Sequence, residues 1–97
     1  MEVFTTKRGF GIIEFKDRYD VDCSLQMSSL ATQPAIWFGV TDAEPIIMAS
    51  LVQEGGKGWV KYPIHPDVHI NTRMHLTQEQ VRALLPHLQR FVETGEI

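Results

Sequence analysis

The sequence predicts an α+β fold: a small antiparallel β-sheet with one C-terminal helix packed on a face of it. Three observations carry this. Short apolar or alternating stretches recur along most of the chain and are separated by charged or glycine-bearing turns. The last stretch, "QEQVRALLPHLQRFVETG", changes to helical spacing. And 97 residues with 43% hydrophobic content are enough for one domain, 1–97, with a modest core.

Taken in order, "GFGIIEFKD" reads as a strand, with Phe10, Ile12 and Glu14 on one face and Ile13 and Phe15 on the other. "DRYD" suits a turn. "VDCSLQM" alternates most cleanly, with Val21, Cys23, Leu25 and Met27 on one side. "SSLATQP" is a polar loop, and "AIWFGV" is a short apolar strand ended by "TDAEP". "IIMASLVQ" is expected to form another strand, "EGGKG" a turn, and "WVKYPI" a strand ended by proline. "HPDVHINT" is irregular, and "RMHL" is extended.

The helix is expected over about residues 78–93. Thr77 and Gln80 have the capping-box spacing, in which each polar side chain satisfies a backbone donor near the other. Val81, Leu84, Leu85, Leu88 and Phe91 form one apolar stripe, and Gly95 is a natural stop. Pro86 lies inside and is expected to kink the helix, because it removes a donor and crowds the carbonyl of Arg82.

Net charge is −3, which speaks against tracking a long nucleic-acid backbone. A few converging arginines can still hold a small anion. No apolar run approaches a membrane span, the first residues lack the pattern of a secretory leader, and one cysteine allows no internal disulfide. A reducing cytoplasm is the expected setting.

"RGFGIIEF" fits most of an RNA-recognition signature. That signature needs a strand and a helix before it, and only seven residues precede Arg8. Its fifth position, usually a stacking aromatic, is Ile12. Glycines beside a turn and a strand are the better reading. "EGGKGW" lacks the spacing of a phosphate-cradling loop. His65, Asp67 and His69 can face one side of an extended chain, but no cysteine pair or HExxH supports a metal, and none is expected. Cys23 reads as a small buried thiol. With no triad or paired-carboxylate signature, no enzyme and no cofactor are expected.

Trp37, Phe38, Trp59 and Tyr62 put aromatics on both faces of their strands. If the helix covers one face, the other carries aromatics free to stack on a ligand. Arg82 and Arg90, eight residues apart, fall roughly on one side of the helix, and Arg73 lies just before it. Such arginines usually form a solvated face, but guanidinium forks also clamp phosphate oxygens, here with Asn71 or Thr72 beside them.

"GWVKYPIHPDV" and "NTRMHLTQEQVRALLPHLQRFVETGEI" resemble a group of short phage and prophage proteins ending in "RMHLT-x-EQV…LLP-x-LQRFVETGE", and "CSLQMSSLATQPAIWFG" is similar to their middle segment. Short acidic phage proteins of this build often blunt bacterial defence, and some, such as the Thoeris anti-defence and anti-CBASS sponges, sequester nucleotide signals between protomers. By that analogy the chain is expected to be a non-enzymatic homo-oligomer in the bacterial cytoplasm that binds a small nucleotide-like ligand at a subunit interface. Arg73, Arg90 and Arg82 would hold phosphates, Trp59 or Trp37 would stack on a base, and Asn71 and His75 would read polar edges. The alternative is an anti-CRISPR-like inhibitor of a host defence protein, presenting the acids Glu14, Asp17, Asp20 and Asp22 as a nucleic-acid mimic.

Overall fold

A computed structural model describes residues 1–97. The strands are β1 (Phe4–Thr5), β2 (Gly11–Lys16), β3 (Asp22–Met27), β4 (Ala35–Val40), β5 (Ile46–Met48), β6 (Trp59–Lys61) and β7 (Arg73–Thr77), followed by helix α1 (Gln78–Thr94). Five strands form one antiparallel sheet in the order β1-β2-β3-β4-β7, and β5 and β6 form a separate hairpin inserted between β4 and β7. The fold is α+β. No helix is long and apolar enough to cross a membrane.

Local chemistry sets the turns. The Asp17 carboxylate accepts from the Tyr19 and Val21 amides at 2.8 and 3.1 Å, which closes the charged turn between β2 and β3. Thr6 does the same between β1 and β2, its hydroxyl accepting from Phe10 N at 3.1 Å. The segment "IIMASLVQ" is a strand only as far as Met48. From Ala49 it tightens into a 3-10 turn, with the Ala49 carbonyl accepting from Val52 N and Gln53 N.

Register divides the large sheet into two unlike faces. Ile13, Leu25, Phe38 and Met74 stand opposite one another across β2, β3, β4 and β7, and so share one face. Phe15 joins them, meeting Phe38 edge-on at a centroid distance of 6.1 Å. Ile12, Gln26, Trp37 and His75 form the matching row on the other face. One face is thus apolar and the other predominantly polar.

The capping box at Thr77 and Gln80 is complete, and Gly95 ends the helix with φ +76°. The helix is continuous across Pro86. It meets the sheet at its first turn and packs there only loosely. Its contacts are chiefly with β7, its first-turn Val81 borders a hollow with Met27, Ile36 and Leu76 on the apolar face, and none of its residues is buried. The reason is the junction: β7 ends at Thr77 and the helix begins at Gln78, with no loop between them. Helices that fold back on a neighbouring element generally need a connection of several residues. Only Cys23, Ala35, Ala49, Ser24 and Ser28 are buried.

Replacing Thr77 with Ala removes one half of the capping box. The expected cost is about 1 kcal/mol, read as a lower denaturant midpoint with an unchanged slope.

Candidate functional site

The polar face of the sheet holds the candidate site, and Gly39 makes it possible. Gly39 pairs with Ser24 on one side and Arg73 on the other. Without a side chain at that point, the Arg73 side chain crosses β4 to reach β3. Its Nη1 donates to Gln26 Oε1 at 2.9 Å and lies 3.5 Å from Ser24 Oγ. Ser24, beneath this crossing, is fully buried. Gly39 has φ +148°, and a Cβ there would lie 2.7 Å from the Thr72 carbonyl oxygen and 3.1 Å from Arg73 Cα.

Trp37 stands beside this arginine. The Arg73 guanidinium carbon lies 5.8 Å from the indole centroid. The His75 ring stacks on the same indole at 3.9 Å and 9°. His75 Nε2 exchanges a hydrogen bond with Ser28 Oγ at 2.8 Å, which holds the imidazole in place. His75 therefore braces Trp37, where the sequence suggested a reader of ligand edges.

Arg73 has no carboxylate partner. Nε and Nη2 make no hydrogen bond to the protein, so donors remain free on a half-buried cation. Two cavities meet at this Arg73–Trp37 pair. One, of about 460 Å³, is also lined by Asp42, His69, Asn71 and Thr72. The other, of about 400 Å³, is lined by Lys7, Arg8, Phe10, Gln26 and Ser29 besides the pair. The second holds three cations and no carboxylate, with Arg8 5.5 Å from the Phe10 ring centroid. Within the first, Thr72 donates to the Val40 carbonyl at 2.7 Å, tying that wall to β4.

The expected residues thus separate. Arg73, Trp37 and Asn71 line the cavities and His75 supports them. Trp59 lies in the small hairpin opposite Met48, and Arg82 and Arg90 stand exposed on the helix; none of these lines either cavity. Lys7, Arg8, Phe10, Gln26 and Gly39 were missed. The signal for Arg8 and Phe10 is the "RGFG" stretch, which also fits an RNA motif, and for Gly39 it is the glycine in "AIWFGV".

Elsewhere, His65 accepts from Asp67 N at 3.1 Å, and no group of three His, Cys, Asp or Glu side chains converges on a metal position. Cys23 Sγ donates weakly to the Val21 carbonyl at 3.5 Å. Asp20, Asp22, Asp42 and Glu44 border a hollow of about 420 Å³. Lys16 pairs with Asp22 at 2.6 Å, and its ammonium is held above the usual lysine value, first by that hydrogen bond and then by the carboxylate's charge.

Gly39→Ala is expected to destabilise the protein by about 2 kcal/mol or more, since backbone strain adds to a clash with backbone atoms that cannot swing away. Gly9→Ala, at φ +87° with nothing within 4 Å of its added Cβ, is expected to cost about 1 kcal/mol. Denaturant midpoints of the two variants measure the difference.

Compared with protein-family models, curated proteins and solved structures, the chain matches none.

Proposed function

We propose that the protein is a non-enzymatic binder that sequesters a small nucleotide-like ligand on the polar face of its sheet. The observation that carries this is Arg73: a half-buried guanidinium with free donors, no counter-ion, and an indole against it. A cation held this way on a chain of net charge −3 favours a localised anion over an extended polyanion.

The two cavities divide the ligand by chemistry. The all-cationic one, with Lys7, Arg8 and Arg73, suits the phosphate. The other offers Asp42 as an acceptor and Asn71 as both donor and acceptor, which suits the hydrogen-bonding edge of a base. Trp37 lies between them. His75 occupies one face of its indole, so a base would use the remaining exposed aromatic surface. Both cavities fall in the size range of small-molecule sites. Together with the resemblance to short phage proteins, this supports a counter-defence role: lowering the free concentration of a nucleotide immune signal. The reading moves the site from an interface between subunits to one face of a single protomer.

A second reading, inhibition of a host defence protein through an acidic surface, is favoured by the hollow ringed by Asp20, Asp22, Asp42 and Glu44. Lys16 neutralises part of that surface.

Calorimetric titration with ADP, cyclic di-AMP and inorganic pyrophosphate tests the first reading. Arg73→Ala is expected to weaken all binding by about tenfold or more, the loss of a charge-assisted contact. Trp37→Ala is expected to weaken nucleotide binding while sparing pyrophosphate. Unchanged affinity in Arg73→Ala, or no binding by any of the three, counts against the site. Tighter binding of a single-stranded oligonucleotide than of either nucleotide would replace the ligand class.

A further inference from the structure

We infer that the apolar face of the sheet is an interface with a second copy of this chain, covered by the partner's C-terminal helix. This goes beyond the ligand reading and stands independently of what the polar face binds.

The folded chain lacks a core of its own. It exposes 8464 Å², where the scaling law for a folded monomer of 11.1 kDa gives about 5,700 Å². Its radius of gyration is 17.4 Å, against about 12.5 Å for a compact chain of this length. Exposed apolar residues occur along the chain, the β5–β6 hairpin with Ile46 and Trp59 included, and two of the surfaces they form are complementary in kind. On the sheet, Met74 is 56% exposed, and the neighbouring Leu25, Ile36 and Phe38 are uncovered in part. On the helix, Leu85, Leu88 and Phe91 are 58, 56 and 57% exposed.

These two surfaces suit one another but meet within one chain only at the helix's first turn, where Val81 lies beside Met27, Ile36 and Leu76. Beyond that turn the helix buries none of its residues, and Leu85, Leu88 and Phe91 stay open. An apolar helix stripe packed on an apolar sheet face is the ordinary way to complete a two-layer α+β core. The stripe that covers the rest of the sheet face then comes from another molecule. A different protein is a poor occupant, because the chain would lack a core until it arrived. Another copy supplies the missing layer whenever the chain folds. Reciprocal exchange about a two-fold axis covers both sheets and both helices at once, and leaves no open end to propagate. The excess of roughly 2,800 Å² per chain that follows from the scaling law is about 5,600 Å² for two chains, so burying even half of it reaches the scale of an obligate homodimer interface.

The exchange also preserves the candidate site. Trp37 and Arg73 lie on the opposite sheet face from Phe38 and Met74, so a helix seated on the apolar face leaves both cavities open.

Two measurements test this on the full chain. Light scattering coupled to gel filtration is expected to return a dimer or a higher even-numbered assembly, with a thermal midpoint that rises with protein concentration. A monomer whose midpoint ignores concentration overturns the inference. For the geometry, a photoreactive benzophenone side chain at position 88 is introduced in light-isotope protein and co-refolded with heavy-isotope wild type. The expected adduct joins the light helix to a heavy strand peptide from β2, β3, β4 or β7. A helix-to-helix adduct, or an adduct confined to one chain, overturns the exchange even if the protein is dimeric. Nucleotide titration of the same sample reads the polar face separately, so either idea can fail alone.

Discussion

The candidate site and the apolar surface both depend on a single five-stranded layer whose side chains alternate with a period of two. That alternation sends Leu25, Phe38 and Met74 to one side and Gln26, Trp37 and His75 to the other. One face becomes an apolar wall, open in part, and the other a polar platform. A slip of one residue in any strand would exchange them, so register is tied both to the hydrophobic surface and to the candidate site. The direct junction between β7 and α1 adds the second constraint: the helix meets the apolar wall at its first turn and buries none of its own residues there.

On the polar platform, absence of a side chain matters as much as presence. Gly39 leaves a lane across β4, and Arg73 fills it. The arginine then covers Ser24, hydrogen-bonds Gln26 and meets the indole of Trp37. His75, fastened by Ser28, holds the indole from its own side. The result is a cation positioned by three strands without neutralisation by any carboxylate. A side chain held in place before a ligand arrives loses less freedom on binding. The neighbouring Lys7 and Arg8 come from the β1–β2 turn, so the positive potential on this face is assembled from distant parts of an acidic chain.

Much of this was legible in local patterns. The α+β class, the strands around Ile13, Leu25 and Phe38, the turn at Asp17 and the capping box at Thr77 all follow from interactions within a few residues. The site was half legible. Arg73, Trp37, Asn71 and His75 were recognised by residue type, but Trp59, Arg82 and Arg90 were grouped with them only because aromatics and guanidinium groups have the right chemistry. Lys7 and Arg8 went unrecognised because the stretch that holds them was judged as a motif with a fixed context, and their value lies in a cavity shared with β4 and β7.

The sequence by itself determined the periodicities: which residues alternate, where the helix begins and ends, and that the helix bears an apolar stripe. These depend on backbone geometry and nearest neighbours in the chain. Only the tertiary structure decided strand order, the lane over Gly39 and the direction in which the helix departs. Those depend on contacts such as Arg73 to Gln26, made between residues far apart in the chain, and on a junction whose path no pattern of side chains encodes. An apolar stripe states that a helix will be covered; where the chain turns, or fails to turn, settles whether its own sheet can do the covering.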